Sequence, residues 1–355
     1  MPSPDVVELT LQLCRIPSVT GQEAAVVQFA RQQLQQLGFA VHLQPLGEQG
    51  RANLLAHPPN QPPHVLLSTH LDTVPPHIAP TMSADQRSIR GRGTCDAKGI
   101  AAAMICAAAE LRRQGEHRVG LLFVVGEETN SDGAKQAVRN FAPRVRAVIG
   151  GEPTQLQVVR AMKGAVVFRL DAQGKCSHSA YPELGHSALH QLVRDAQALL
   201  AEPWPRDEEL GETTINIGLL QGGSAVNVLA DHAWARGIVR CAVPARVVVD
   251  RIKALLEPAT KLTLESASDP LRLHCPKGFD GCMVSFGSDM PHLRQLGTPL
   301  LVGPGSIHDA HQPHERISIQ QLRQAVCLYQ DLAKLLLEEI IEPPSSTCRA
   351  RTPRR

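Results

Sequence analysis

Histidine and acidic side chains follow short apolar segments at several places in this sequence. They are His70 and Asp72 after residues 64–68, Glu127 and Glu128 after residues 119–125, and Glu152 after residues 147–149. Short, continuous apolar segments are typical of strands in a parallel sheet that is covered on both faces. In such sheets, functional residues collect beyond the carboxyl ends of the strands. We therefore expect these side chains to share one site.

Two further segments supply candidate metal ligands. Asp96 lies in a glycine-rich stretch, residues 91–99, directly before an alanine-rich helix, where its carboxylate could instead cap that helix. Residues 303–315 contain His308, His311 and His314, and the spacing alone does not show which of them binds a metal.

Together these segments offer two imidazole nitrogens and three carboxylates, a donor set that suits zinc or a similar divalent ion. The set exceeds what one tetrahedral ion needs, and it fits two ions ~3.5–4 Å apart with one bridging carboxylate. One of the adjacent carboxylates, Glu127 and Glu128, can bind metal while the other moves a proton. Asp72 is placed to accept from the second ring nitrogen of His70, which orients a metal-bound histidine. Taken singly, each motif could be an ordinary surface pair, helix cap or acidic turn.

In this order, the residues resemble the co-catalytic zinc family that includes acetylornithine deacetylase, succinyl-diaminopimelate desuccinylase, aminoacylase and bacterial glutamate carboxypeptidases. The resemblance extends from about residue 5 to residue 338. It implies two zinc ions, for which cobalt or manganese can substitute. The implied roles are His70 and Glu152 on the first zinc, Glu128 and His311 on the second, Asp96 as the bridge, Glu127 as the general base and Asp72 as the partner of His70. It also implies a cis peptide bond between Asp96 and Ala97.

The same resemblance implies residues on the substrate side of the site. His178, in the segment 174–179, is a candidate oxyanion stabiliser that reaches into a partner subunit, although a histidine between serines is by itself typical of a surface. Asn227 ends a substrate-side motif at 222–227, and Gly305 is a further candidate for substrate contact. Arg240 falls where the family has a carboxylate-binding arginine. The aspartate that the family has two residues earlier is replaced by Ile238, so the direction of the Arg240 side chain stays open.

The periodicity of the chain changes near Lys163. Before it, and again from about Pro270, helices alternate with short buried strands, which predicts an α/β domain with a mostly parallel central sheet. Between them the order strand, helix, strand, strand, helix, strand predicts an inserted α+β domain of the ferredoxin-like type. We place the catalytic zinc-binding domain at 1–160 and 271–355, and the lid or dimerisation domain at 161–270. The resemblance implies a homodimer formed through that lid.

Composition limits the classes of partner. The net charge of 355 residues is only +2, which argues against a nucleic-acid or membrane partner. The nine cysteines are odd in number and form no C-x-x-C pair, and several, such as Cys14, Cys106 and Cys327, lie in apolar segments, which indicates free thiols in a reducing compartment. We see no signal peptide and no apolar segment of ~20 residues, so we predict a cytoplasmic protein. The arginine-rich tail, Arg349 to Arg355, is interpreted as a frayed end.

These observations predict an amidohydrolase that cleaves a small N-acylated amino acid. Residues 152–164 are most similar to acetylornithine deacetylases, which favours acetylornithine or a related acyl amino acid as the substrate and a role in arginine biosynthesis. A dipeptidase or glutamate-type carboxypeptidase is the alternative within the family. From another class, a non-catalytic binding or scaffold protein would require that a ligand or the base be lost, and all of them are present.

Overall fold

The structure, a computed structural model, describes residues 3–47 and 49–339, which form two compact units. Unit 1 comprises Met1–Arg160, Leu273–Cys282 and Ser288–Arg355, and unit 2 comprises Ala161–Arg272 and Met283–Gly287. The arginine-rich tail lies outside the described residues. No helix in the described ranges is both long and apolar enough to cross a bilayer.

Helices and strands alternate along the described chain. The helices are α1 Val6–Arg15, α2 Ala24–Gln36, α3 Lys98–Arg113, α4 Asp132–Asn140, α5 Ala188–Ala201, α6 Ala245–Leu255, α7 Met290–Leu293 and α8 Ile319–Glu338. The strands are β1 Ala40–Pro45, β2 Ala52–His57, β3 Val65–His70, β4 Thr81–Met82, β5 Ser88–Arg90, β6 Val119–Val124, β7 Ala147–Gly150, β8 Val159–Met162, β9 Gly164–Gln173, β10 Arg206–Asp207, β11 Gly211–Glu212, β12 Thr214–Gly222, β13 His232–Cys241, β14 Thr260–Ser268, β15 Leu271–Arg272, β16 Cys282–Val284, β17 Thr298–Leu301 and β18 Arg316–Ser318.

The main sheet of unit 1 contains strands in the order β1-β2-β6-β3-β7-β17-β8. Strand β3 is parallel to β6 and β7, and β17 is parallel to β7. The pairings of β1 with β2 and of β2 with β6 are antiparallel. The predicted α/β fold with a mostly parallel central sheet is confirmed.

The centre of this sheet is covered on both faces. Every residue of β3, β6 and β7 is buried. Because successive side chains of a strand point to opposite faces, uninterrupted burial requires cover on each side. Helix α3 packs on β3 and β6 and is itself buried along most of its length, since its many alanines allow a close approach. The continuous apolar segments of the sequence therefore reflect burial on both faces.

The strand register brings the ends of three strands to one edge of the sheet. His70 at the end of β3 lies opposite Val124 at the end of β6. Ser68 of β3 lies opposite Gly150, the last residue of β7. The residues that follow β3, β6 and β7 in the sequence therefore emerge at the same edge, where ligands collect in α/β sheets.

Unit 2 is an α+β fold. Its four-stranded sheet has the order β12-β13-β9-β14, and each neighbouring pair is antiparallel. Helices α5 and α6 pack on it and enclose a separate apolar core. The chain order β9-α5-β12-β13-α6-β14 with this strand order is the ferredoxin-like arrangement, as the sequence predicted.

Helix α5 begins at Ala188, because the Ser187 hydroxyl accepts from the N–H of His190 and caps the helix at that point. Cys14, Cys106 and Cys327 are free thiols, the first two buried and Cys327 exposed on α8.

Candidate metal centre

His70 is the last residue of β3, and its side chain is almost wholly buried, with 1% exposed. Its Nδ1 lies 2.9 Å from the backbone carbonyl oxygen of Asp72. Because a carbonyl oxygen only accepts hydrogen bonds, Nδ1 carries a proton. The other ring nitrogen, Nε2, lies 3.0 Å from Asp96 Oδ1. His70 is therefore oriented so that Nε2 can serve as a metal ligand.

Asp72 connects the end of β3 to the residues after β6. Its Oδ1 accepts from the backbone N–H of Glu127 (3.2 Å) and its Oδ2 from that of Glu128 (3.1 Å). The hydroxyl of Thr20 also donates to Oδ2, at 2.8 Å. The carboxylate therefore positions both glutamates as well as His70, from which its Oδ1 is 3.5 Å distant. The sequence suggested only the contact with His70.

Asp96 lies between two histidines. Its Oδ1 is 3.0 Å from His70 Nε2, and its Oδ2 is 3.3 Å from His311 Nε2. Each carboxylate oxygen thus faces a different histidine, as is required of a carboxylate that bridges two cations. The peptide bond between Asp96 and Ala97 is cis, as the resemblance implied.

Glu315, which the sequence analysis did not single out as a site residue, holds the backbone at Asp96. Its Oε1 accepts from the N–H groups of Cys95 (3.0 Å) and Asp96 (3.2 Å), while its Oε2 lies 2.6 Å from Nη1 of the buried Arg92. Burial raises the pKa of Glu315, and the Arg92 guanidinium opposes that rise. The only sequence signal was its position four residues after His311.

Glu128 and His311 form a group with Asp96 in which the ligand atoms all lie within 4.8 Å of one another. His311 Nε2 is 3.0 Å from Glu128 Oε1. The turn from β6 into this group depends on Gly126, whose φ is 80°. A Cβ at Gly126 would lie 2.0 Å from Asp132 Oδ1, so the turn requires glycine.

The structure distinguishes the three C-terminal histidines. Within the described residues His311 belongs to a group of potential ligands, whereas His308 and His314 are exposed and belong to none. Gly305, upstream of them, has φ 86°, and a Cβ there would lie 2.5 Å from Cys95 Sγ. Packing thus explains the glycine, and its contact with substrate stays a prediction.

Glu152 completes a second group, with His70 and Asp96, whose ligand atoms also lie within 4.8 Å of one another. Its side chain is buried, and this burial, reinforced by repulsion from neighbouring carboxylates, raises its pKa well above the ordinary value. Removal from water likewise raises the pKa of Glu127 well above its ordinary value. His70 opposes this rise, whereas nearby carboxylates add to it.

Asp289 is a further buried carboxylate that the sequence did not indicate, because it does not follow a recognisable apolar strand. It is 6% exposed, and neither oxygen makes a hydrogen bond of ordinary length to the described residues. It lines a small cavity together with His70 and Glu152. Burial raises the pKa of Asp289 to about 6, although the Ser131 hydroxyl opposes the shift.

Negative charge in this region exceeds the positive charge that the protein supplies. Two histidines face four carboxylates around the two groups, namely Asp96, Glu127, Glu128 and Glu152. Divalent cations would offset the repulsion, and nitrogen and oxygen donors in two groups of three suit zinc, cobalt or manganese. The side chains present therefore fit a pair of divalent ions that share Asp96.

Three predicted substrate residues belong to unit 2. His178 is exposed, its Nδ1 accepts from the N–H of Ala180 at 3.1 Å, and it forms a strand-like bridge with Val228. The N–H of Ser179 donates to the carbonyl of Asn227 at 2.9 Å, which keeps the two predicted segments adjacent within unit 2. Arg240 lies on β13, opposite Thr214 of β12. The roles of His178, Asn227 and Arg240 stay predictions.

The fold agrees with comparisons to known proteins. The chain matches the sequence profile of peptidase family M20/M25/M40 over residues 66–335. A probable carboxypeptidase from Aspergillus terreus is 36% identical to it over 365 residues, covering 90% of this chain and 84% of the relative. The chain therefore belongs to peptidase family M20/M25/M40, a family of hydrolases whose metallopeptidases use a divalent metal.

Solved structures share the fold. A tripeptidase from Staphylococcus aureus superposes with a TM-score of 0.80 at 21% identity, covering 94% of this chain and 98% of that one. An M20 family metallo-carboxypeptidase from Sulfolobus solfataricus gives a TM-score of 0.74 at 17% identity, covering 94% and 99%. These relatives bear peptidase names, so the predicted closeness to acetylornithine deacetylase and the link to arginine biosynthesis are not supported by them.

Proposed function

We propose that this chain is a two-zinc exopeptidase of the carboxypeptidase or dipeptidase type, which hydrolyses the amide bond next to the free carboxylate of a short peptide. The observation that carries the proposal is the position of Asp96, whose two oxygens each face a different histidine at 3.0 and 3.3 Å. The similarity to a probable carboxypeptidase supports the choice of substrate class.

Each group of ligands has a defined part in the proposed reaction. His70, Asp96 and Glu152 would hold one ion, and Asp96, Glu128 and His311 would hold the other. When bound, the two ions would acidify a water and polarise the scissile carbonyl. Glu127 accepts the proton of the attacking water and returns it to the departing amine. Glu127 belongs to neither group of potential ligands, so its carboxylate is available for this proton transfer.

Unit 2 supplies substrate contacts in this proposal, which here depends on the resemblance noted in the sequence. Arg240 pairs with the carboxylate of the substrate, a contact in which a guanidinium can donate two hydrogen bonds. His178 donates to the oxyanion from a partner subunit of a homodimer, and Asn227 and Gly305 contact the substrate. Residues 161–270 act as lid and dimerisation domain, and a cytoplasmic location stays a prediction.

A substrate panel tests the proposed class. The full-length protein, loaded with zinc, is assayed on dipeptides, tripeptides and N-acetylornithine, with Glu127→Gln as the inactive control. We expect release of a C-terminal amino acid from peptides, with kcat/KM above that for N-acetylornithine. Acetate release from N-acetylornithine at a higher kcat/KM would contradict the peptidase proposal and favour the deacetylase, which the similarity of residues 152–164 suggested.

Metal analysis separates an enzyme from a scaffold. We expect two equivalents of zinc per chain after loading and dialysis, and fewer than two in an Asp96→Ala variant because both groups share this residue. A wild-type chain that retains no zinc and hydrolyses no member of the panel would support a non-catalytic binding protein.

Mixed subunits test the action of His178. A His178→Ala subunit combined with a Glu127→Gln subunit should regain part of the wild-type activity if His178 acts across the dimer. Dimers that form but regain no activity would show that His178 does not act in trans.

A further inference from the structure

A second cavity in unit 1 lies at the opposite ends of the central strands from the metal centre. It has a volume of about 620 Å³, and it is lined by residues that precede β3, β7 and β17. His64 comes directly before β3, whereas His70 ends that strand. A six-residue strand extends for about 20 Å. The cavity, which we call the basic cleft, is thus a site separate from the metal centre.

Backbone hydrogen bonds hold the walls of the basic cleft together. The N–H of Val145 donates to the carbonyl of Leu296, and the N–H of Arg146 to that of His64, both at 2.8 Å. Gly297 permits the close approach of the two walls, because a Cβ there would lie 2.5 Å from the carbonyl oxygen of Val145. The cleft is therefore framed by the main sheet rather than by free loops.

Three arginines line the basic cleft, and no carboxylate of the described residues forms an ion pair with them. Arg144 and Arg146 each donate to a backbone carbonyl, of Gln295 at 2.7 Å and of Leu337 at 3.1 Å respectively. Arg294 makes no side-chain hydrogen bond to any described residue. Throughout 3–47 and 49–339, none of the three forms an ion pair, whereas many other arginines of the chain do.

His64 adds an unsatisfied polar atom to the same wall. Its Nδ1 is shielded from solvent and makes no hydrogen bond to the described residues. The three arginine guanidiniums that line the same cleft repel one another and form no ion pair with the described residues, which leaves the cleft with an excess of positive charge.

We propose that the basic cleft binds a small oxyanion, a phosphoryl or carboxylate group of a metabolite, at a site distinct from the metal centre. A planar guanidinium pairs with such oxygens through two parallel hydrogen bonds, and no side-chain hydrogen bond to the described residues occupies Arg294. Arg144 and Arg146 supply further positive charge, and His64 also lines the cleft. The apolar wall formed by Leu296 and its neighbours accommodates the carbon skeleton that carries the anionic group.

Calorimetric titration of the zinc-loaded, full-length protein tests this proposal at constant ionic strength. The probes are inorganic phosphate and malonate, which separate phosphoryl from carboxylate recognition. The test variant is Arg294→Gln, which removes a charge without removing a hydrogen bond within the described part of the protein. The matched control is Arg323→Gln, because Arg323 is exposed on α8 and forms no ion pair with the described residues.

We expect the wild type and Arg323→Gln to bind at least one probe with equal affinity, and Arg294→Gln to bind it about tenfold or more weakly. Anion binding at the metal centre is common to all three proteins, and an unchanged kcat/KM for peptide in Arg294→Gln would show that this centre is intact. Equal affinities in Arg294→Gln and wild type, or no binding of either probe beyond the metal centre, would overturn the proposal.

Discussion

Arg92 and Glu315 form a buried ion pair with an Nη1–Oε2 distance of 2.6 Å, and the second oxygen of Glu315 holds the N–H groups of Cys95 and Asp96. Removing one partner of a buried pair leaves the other charge without compensation, which destabilises by about 3–5 kcal/mol. We therefore expect Glu315→Ala to unfold at a lower urea concentration than wild type when both are metal-free. Replacing both residues with apolar ones should recover part of the loss. An unchanged midpoint for Glu315→Ala would contradict this role.

Glu127→Gln tests the general base. The amide keeps the size of the side chain but cannot accept the proton, so turnover should fall roughly a hundredfold or more. Zinc content should stay at the wild-type level, because Glu127 belongs to neither group of potential ligands. Turnover and zinc content are measured on the same preparation. Near-normal turnover with full zinc content would exclude Glu127 as the base.

Asp72→Ala should weaken metal binding without removing a ligand. The carboxylate lies beside His70 and fixes the backbone of both Glu127 and Glu128. Loss of such a partner commonly lowers metal affinity by about 10- to 100-fold. Competition with a zinc chelator measures the change, and Thr20→Val, which removes only one hydrogen bond to Asp72, should have a smaller effect. Equal zinc affinity in Asp72→Ala and wild type would show that other contacts orient His70.

Zinc loading should release protons from the histidines. Although burial alone would lower it, hydrogen bonds to Asp72 and Asp96 hold the pKa of His70 well above its ordinary value in the metal-free protein. Hydrogen bonds to Asp96 and Glu128 raise the pKa of His311 to about 10. His311 is therefore charged at pH 8 and must lose a proton to bind metal, which predicts release of at least about one proton.

Calorimetry in buffers of different ionisation enthalpy measures this release. His311→Ala should release about one proton fewer than wild type. The raised pKa of His311 also contributes to the stability of the metal-free protein. This contribution is fully present below pH ~6.5 and is lost as the pH rises towards about 10. Zinc binding that is independent of buffer at pH 8 would refute the charged state of His311.

Asp289→Asn should stabilise the metal-free protein at neutral pH. The pKa of Asp289 is raised to about 6 from 3.8, so the native state retains a proton that the unfolded chain has lost, and stability falls as the pH rises through this window. Above it, the buried charge costs about 3 kcal/mol, which the amide avoids. Urea midpoints of variant and wild type should differ at pH 7 and converge towards pH 4. A difference that does not depend on pH would contradict the prediction.

Much of the site was predictable because its residues follow buried strands. The fully buried strands β3 and β6 are covered on both faces, so they form continuous apolar segments that can be recognised in the sequence. In parallel sheets the residues after such strands meet at one edge, which identified His70, Glu127 and Glu128 as neighbours before any distance was known. The ferredoxin-like order of unit 2 followed in the same way from its alternating pattern.

Other features depended on contacts between distant parts of the chain. Three histidines lie within seven residues of one another, and only the left-handed conformation at His311 and the position of its Nε2 relative to Glu128 distinguish it from His308 and His314. Apart from its position four residues after His311, Glu315 has no local signal, because its importance comes from Arg92 and from the backbone at Asp96.

The amino-acid sequence by itself determined which side chains can act and which strands they follow, because burial and periodicity are local properties that its pattern records. Tertiary structure alone decided which oxygen of Asp96 faces which histidine, where Asp289 is buried, and that Arg144, Arg146 and Arg294 line one cleft. The reason is that pairing, charge balance and cavity shape depend on distances between residues far apart in the chain.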